Sequence, residues 1–331
     1  MQLTLTQVFD WLWYQKNPMK WILWPIGLLY GIVMEMRRLL YRWRIKTGIK
    51  MPVPVIVVGN ISVGGTGKTP VVIWLAEELQ SYGYRVGIVS RGYGGISEDW
   101  PQPVSPESDP ALVGDEPVLL ARTTGCPVMV GPDRVTAAKA LLLTEKLDLL
   151  ISDDGLQHYD LDRALEIVVV DGMRGLGNGL CLPAGPLREF SCRLAKADAV
   201  IVNGEGWECE GAFRTKPVAQ GLYQVSSSIK KTLQEFRGTQ VHAVAGIGNP
   251  NRFFHMLKDA DIDVLPHPLP DHASLSKTDI EFGDSRPVFI TEKDAVKCHS
   301  FAHSNVWCVP IKLEFQTEEK QRLINLILRE L

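Results

Sequence analysis

From residue 53 onward, apolar and polar positions come in blocks rather than in strict alternation. Short continuous apolar runs are followed by turn residues and then by longer amphipathic stretches. Runs of this kind mark strands buried on both faces, and the stretches between them mark covering helices. The pattern predicts a strand at Val53–Val58, a helix through Leu79 and a second strand at Val86–Ser90. After a polar, Pro-rich loop at 96–113, it predicts a short helix over 114–125, a strand at Pro127–Val130 and a helix at Arg134–Glu145. Further strands follow at 147–155, 165–172 and 197–203. Strand and helix alternating in this way imply an α/β fold: a mostly parallel sheet with helices on both faces.

Residues 204–240 are polar and weakly periodic, and a linker is expected there. A second strand–helix series starts at "VHAVAGIGNPNRFFHML" (241–257), continues through "RPVFITEKDAVKC" (286–298) and closes on a C-terminal helix. The expected division is an N-terminal segment at 1–45, a main domain at 46–210, a linker at 211–240 and a smaller α/β domain at 241–331.

The N-terminal segment differs in composition from the rest. Residues 1–50 hold eight Lys/Arg against two acids, a net +6; the whole chain is −3, so the remainder carries −9. Five of the nine Trp lie at positions 11, 13, 21, 24 and 43. The uncharged run "WILWPIGLLYGIVM" (21–34) is interrupted by Pro25 and Gly27 and is shorter than the ~20 residues a spanning helix needs. Residues 1–15 contain no Lys or Arg, which excludes an ordinary signal peptide. Trp-rich apolar residues followed by Arg37, Arg38, Arg42, Arg44, Lys46 and Lys50 suit an amphipathic helix lying in the interface of an anionic membrane. A single tilted span and a helix packed on the body are the alternatives. The six cysteines form no C-x-x-C pair and fit a reducing compartment. Nothing in the chain points to nucleic acid or to an obligate protein partner.

The chemistry is concentrated at the strand ends. "SVGGTGKTP" (62–70) follows the first buried strand and opens a helix. It matches the phosphate-binding loop G-x-x-x-x-G-K-[ST] except that Ser62 stands at the first position. The residues Gly64, Gly65, Thr66, Gly67, Lys68, Thr69 and Pro70 would cradle a nucleotide, in the manner of a P-loop NTPase. The glycines turn backbone N–H groups toward phosphate, Lys68 brings a cation and the Thr69 hydroxyl can meet Mg²⁺. Asp153, at the end of the buried run "LLIS", fits the acid that organises Mg²⁺, and Asp154 follows it directly. Taken singly, Asp115 and Glu116 in "GDEP" suit a helix start, Arg134 and Arg188 suit a solvated surface, and His272 suits a turn. "TEKD" (291–294) has its Lys one place too late for the guanine-reading element and reads as a capping box.

In order along the chain, "GNISVGGTGKTP", "SRGYGG", "GDEP", "DDGLQHYDL", "GNGLCLPAGPLRE", "GIGNPNRFF", "PDHAS" and "TEKDAVKC" resemble the tetraacyldisaccharide 4′-kinase family, the lipid A 4′-kinases of Gram-negative bacteria. The resemblance implies transfer of the γ-phosphate of ATP, with Mg²⁺, to the 4′-hydroxyl of an acylated disaccharide 1-phosphate embedded in the membrane. The work would be done at the cytoplasmic face of the inner membrane by a peripheral or monotopic protein. It implies Asp115 as general base, assisted by His272; Lys68 and Arg188 on the transferred phosphate; and Thr69, Glu116, Asp153, Asp154 and Gln157 around the metal. Tyr93, Arg134 and Arg188 would face substrate. Ala273 stands where many relatives are expected to carry a second His, which leaves His272 as the candidate. Asp115 and His272 are far apart in sequence, so closure of the two domains is expected to join them.

Two other readings compete. A P-loop GTPase or ATPase of the metallochaperone or targeting type would require a guanine-reading [NT]-K-x-D or a metal-ligand cluster, and the chain shows neither. A non-enzymatic membrane scaffold would have lost the Mg²⁺ acids, yet Thr69, Asp153 and Asp154 are present.

Overall fold

The computed structural model describes residues 5–15, 17–227, 229–298 and 301–331; residues 1–4 and Lys16 of the expected N-terminal segment lie outside the described residues. Two helices, Leu5–Tyr14 (α1) and Met19–Arg42 (α2), precede the first strand, Val55–Gly59 (β1). Then come Lys68–Ser81 (α3), Val86–Ser90 (β2), Gln102–Val104 (β3), Pro110–Val113 (α4), Asp115–Thr124 (α5), Val128–Val130 (β4) and Arg134–Thr144 (α6). Leu149–Asp153 (β5), Leu165–Asp171 (β6), Ala199–Asn203 (β7) and Phe213–Ala219 (β8) follow.

β1 is buried along its whole length between two parallel neighbours, β5 and β6. It sits inside a nine-stranded sheet whose order puts β8, β7 and β6 on one side and β5, β2, β4 and β3 on the other. All pairings from β8 to β4 are parallel, and the edge strand β3 runs antiparallel. The parallel α/β architecture expected from the apolar runs is therefore present. One face is packed by α3 and α5 through side chains such as Val72, Leu75 and Leu120, the other by α6 and the 181–194 segment. The polar segment 96–113, expected as loop, contributes β3 and the one-turn α4.

The second sheet contains Leu222–Gln224 (β9), Lys230–Lys231 (β10), Gln240–Ala245 (β11), Asp263–Pro268 (β12), Val288–Thr291 (β13) and Val306–Val309 (β14). Its helices are Pro250–Asp259 (α7) and Glu292–Cys298 (α8). The chain then returns to the first sheet. Ile311–Phe315 (β15) pairs antiparallel with β8, and Thr317–Glu330 (α9) buries Leu323, Ile324 and Ile327 in the core of that sheet. Phe315 packs against Trp74 of α3 in a tilted arrangement, with ring centroids 4.4 Å apart.

Two expectations change here. The stretch 211–240 is built into the sheets through β8, β9 and β10 rather than forming a linker. The end of the expected 241–331 unit, from residue 311, belongs to the first sheet. The parallel strands of both sheets end near one cleft, where α/β folds place their ligands.

α2 continues through Pro25 and Gly27, which were expected to interrupt it, and its 24 residues are long and apolar enough to cross a membrane. One of its faces lies on the body: a Cβ at Gly27 would come within 2.6 Å of the Cys181 carbonyl oxygen, and one at Gly31 within 2.5 Å of the Phe190 ring. Glu35 adds ion pairs to Arg38 at 2.6 Å and to Lys196 at 3.1 Å. The opposite face leaves Trp21, Ile22, Ile26, Leu29, Val33 and Met36 exposed.

Candidate active site

The loop that leaves β1 is held by two asparagines. Asn60 Nδ2 donates to Thr66 Oγ1 at 3.2 Å, and Asn203 Nδ2 donates to the Thr66 carbonyl at 3.2 Å. Thr66 is buried, so its own side chain is used inside the loop. Gly67 has φ +84°, and a Cβ there would sit 1.9 Å from Asn203 Nδ2, so both backbone conformation and space call for glycine. Ser62 is buried and makes an antiparallel bridge to Leu187, away from the Gly67–Lys68 end. The irregular first position of the motif thus falls on a buried support of the loop. Gly64 through Pro70 line a cavity of about 350 Å³, and Lys68 opens α3, where unpaired N–H groups favour an anion.

The two carboxylates at the end of β5 face different surroundings. Asp154, at φ +48°, lines the cavity and has both Lys68 Nζ and Arg188 Nη1 at 3.5 Å. Burial raises its pKa, but Lys68, Arg188 and Arg134 outweigh this and bring the carboxyl down to about 2. Asp153 is enclosed behind it. Ser90 Oγ donates to its Oδ2 at 3.2 Å, and its buried Oδ1 finds no donor among the described residues. Burial, with the nearby charges of Glu116 and Asp154, pushes the Asp153 carboxyl up. Among the described residues no three His, Cys, Asp or Glu side chains converge as a metal cage. Mg²⁺ is ordinarily held by one or two carboxylates together with substrate phosphates and water. The orphaned Asp153 oxygen and the cavity-facing Thr69 and Asp154 fit that kind of site.

Two expected site residues point elsewhere. Arg134 is 1% exposed and donates to the Gly131 carbonyl at 2.8 Å and the Asp153 carbonyl at 3.1 Å. It braces the end of β5 from inside and is out of reach of a lipid. Gln157 Nε2 donates to the Asn60 carbonyl at 3.1 Å and to Glu189 at 2.7 Å, so its amide nitrogen is committed to propping the loop.

Asp115 and His272, from different sheets, are in contact. His272 Nδ1 lies 3.3 Å from Asp115 Oδ1, and His272 holds φ +57°, an uncommon conformation for a residue with a Cβ. The Tyr93 ring covers His272 at 4.8 Å. An imidazole protonated on Nδ1 would donate to Asp115 and accept from Lys293 Nζ, 3.3 Å from Nε2. Burial and Lys293 favour the neutral ring; the hydrogen bond to Asp115, together with the negative charges of Asp271 and Asp115, outweighs them and raises the His272 pKa. For Asp115, burial works against ionisation, but His272, Lys293 and Lys297 hold the carboxyl down to about 2.

Lys293 and Lys297 of "TEKDAVKC" are site residues that the sequence pattern does not single out. Thr291 Oγ1 does accept from Asp294 N at 3.2 Å, the first half of the expected capping box. The Asp294 carboxylate instead takes the Gly246 N–H at 2.9 Å, fixing α8 to the end of β11. That anchoring aims Lys293 Nζ at Glu116 (3.0 Å), Asp271 (3.2 Å) and Asp115 (3.9 Å), and Lys297 Nζ at Asp115 (3.3 Å). His272 and Tyr93 line both the nucleotide-sized cavity and a neighbouring one of about 200 Å³, which also takes in Asp115 and Lys297.

Residues 19–329 match the family model described as LpxK, tetraacyldisaccharide-1-P 4′-kinase. The chain is 47% identical over 317 residues to the tetraacyldisaccharide 4′-kinase of Nitrosococcus oceani, covering 95% of this chain and 93% of that one. It is 53% identical over 313 residues to that of Alkalilimnicola ehrlichii, covering 93% of each. The solved structure of LpxK from Aquifex aeolicus in complex with ATP superposes with a TM-score of 0.78 at 31% identity, over 94% of this chain and 99% of that one.

Proposed function

The chain belongs to the tetraacyldisaccharide-1-P 4′-kinase family, and from that premise we propose that it transfers the γ-phosphate of ATP to the 4′-hydroxyl of a tetraacylated glucosamine disaccharide 1-phosphate in lipid A biosynthesis. The observation that carries the site assignment is the Asp115–His272 contact on the wall between two cavities, one lined by the phosphate loop.

In this reading ATP lies on the loop, with its terminal phosphates at Lys68, Arg188 and the α3 N-terminus. Mg²⁺, held by Thr69 with Asp153, Asp154 or Glu116, would neutralise phosphate charge. The sugar enters from the second cavity. Its hydroxyl donates to Asp115, which the lysines keep ionised. As the new O–P bond forms and the β–γ bridge breaks, the hydroxyl proton passes to Asp115 and ADP leaves. Because the transition state is loose, the proton departs late, so a carboxylate that orients the hydroxyl is sufficient. His272 holds Asp115 and Tyr93 holds His272. The two sheets exclude water that would otherwise accept the phosphoryl group.

The lipid acceptor keeps its acyl chains in the bilayer, so the protein works at the cytoplasmic surface of the inner membrane. α2 would serve as the contact: its glycine seam faces the body, its Trp, Ile and Leu face lipid, and its basic end meets anionic head groups. The reading is tested by incubating wild type and Lys68→Ala with γ-labelled ATP, Mg²⁺ and the disaccharide 1-phosphate in detergent. Label is expected in the lipid fraction for wild type alone; lipid-independent phosphate release as the only product would overturn the reading.

A further inference from the structure

Arg252 occupies the first turn of α7, a poor place for a cation because the N-terminal end of a helix is itself positive. The motif "GIGNPNRFF" puts it there. Gly248 packs on Gly65 of the phosphate loop so closely that a Cβ on Gly248 would lie 2.3 Å from Gly65 N. Pro250 starts α7, and Asn249 Nδ2 donates to Asp171 Oδ2 at 3.1 Å. These contacts carry the guanidinium over Gly67, where Nη1 is 3.3 Å from the position a Cβ would take.

Asp171 is the acid nearest to Arg252, yet it does not satisfy it. Its Oδ1 already accepts from the backbone N–H groups of Met173 (2.8 Å) and Arg174 (3.1 Å), and its Oδ2 from Asn249. Arg252 Nη1 stands 3.8 Å away, and this buried nitrogen has no hydrogen-bond acceptor among the described residues. A buried guanidinium N–H without an acceptor is a costly arrangement unless an anion arrives. Arg252 lines the same cavity as Lys68, Asp154 and Arg188, so that anion has a place to sit.

We propose that Arg252 is a phosphate-binding residue delivered to the nucleotide site by the second sheet, its guanidinium hydrogen-bonding oxygens of the ATP phosphate chain beyond the α-phosphate. This rests on the reading that the cavity holds ATP.

The test measures binding rather than turnover. Isothermal titration of the full chain in detergent with ATP and with AMP compares wild type, Arg252→Lys and Arg252→Met, alongside thermal unfolding without nucleotide. Arg252→Met is expected to weaken ATP at least ~10-fold, since charge-assisted bonds to phosphate are among the strong ones, and to leave AMP within about twofold. Arg252→Lys should recover part of the ATP affinity. The unfolding temperature of Arg252→Met without nucleotide should match or exceed that of wild type. Equal effects on ATP and AMP, or a lower unfolding temperature with no nucleotide discrimination, would make Arg252 a structural partner of Asp171 and overturn the proposal. A wild type that binds AMP and ATP equally overturns it as well. A wild type that binds no ATP would overturn the nucleotide reading itself, whereas Arg252-dependent ATP binding without lipid phosphorylation would leave this proposal standing and overturn the kinase reading.

Discussion

Lys293 Nζ of the second sheet lies 3.0 Å from Glu116 Oε1 of the first, with Asp115, Asp271 and His272 also within 4 Å of the same ammonium. Burial disfavours the charge, and Glu116, Asp115 and Asp271 more than restore it, raising the Lys293 pKa. One cation thus holds together acids from both sides of the cleft. Lys293→Met should lower stability by about 3 kcal/mol, because removing one member of a buried charged set leaves the others uncompensated. Combining it with Glu116→Gln should recover part of that loss, and a double-mutant cycle reads the coupling. Additive effects within ~0.3 kcal/mol would show that the contact carries no coupling energy.

Glu292 offers a pH test at a neighbouring position with different chemistry. Burial, reinforced by Glu77, pushes its carboxyl up to about 7 from an ordinary 4.5, although the Ile311 N–H at 3.0 Å pulls the other way. The unfolded chain ionises at the lower value while the folded chain stays protonated. Stability from this group is therefore present at acid pH and declines as pH rises from about 4.5 to 7, by on the order of 3 kcal/mol. Glu292→Gln should gain unfolding temperature relative to wild type between pH 5 and pH 8. A constant difference across that range would show that Glu292 is not held neutral by the fold.

The exposed apolar face of α2 makes a separate prediction. Replacing Trp21, Ile22 and Leu29 together by Glu changes residues that are exposed on α2, so the body should unfold as before. Sedimentation with vesicles containing anionic lipid should fall at least tenfold, since each apolar side chain withdrawn from lipid removes roughly 1.5–3 kcal/mol. Retained sedimentation at both low and high salt would contradict the assignment of this face to lipid.

The apolar runs made the parallel strands legible, and the phosphate loop stood out because strand, glycines and Lys68 are contiguous. Other parts were hidden for physical reasons. β8, "FRTKPVA", lies one strand in from the sheet edge and exposes Arg214 and Lys216, so it lacks the continuous apolar run of a buried strand. β15 and α9 rejoin the first sheet after a long excursion, and local periodicity carries no information about which sheet a strand joins. Arg134 has the composition of a surface residue but is enclosed by backbone acceptors. Lys293 and Arg252 acquire meaning only from groups far along the chain. The traces they left were a motif with its Lys out of register for guanine and a basic residue in a helix's first turn.

In the mechanism proposed above, Asp115, supported by His272 from across the cleft, orients the acceptor hydroxyl toward a phosphate held on the loop of its own sheet. Steady-state transfer to the tetraacyl disaccharide 1-phosphate, measured for wild type, Asp115→Ala and His272→Ala alongside ATP binding, is the decisive experiment. The expected result is a kcat lower by ~10²–10⁴-fold for Asp115→Ala and by a smaller factor for His272→Ala, with ATP affinity little changed. Near-normal turnover in both variants would contradict it.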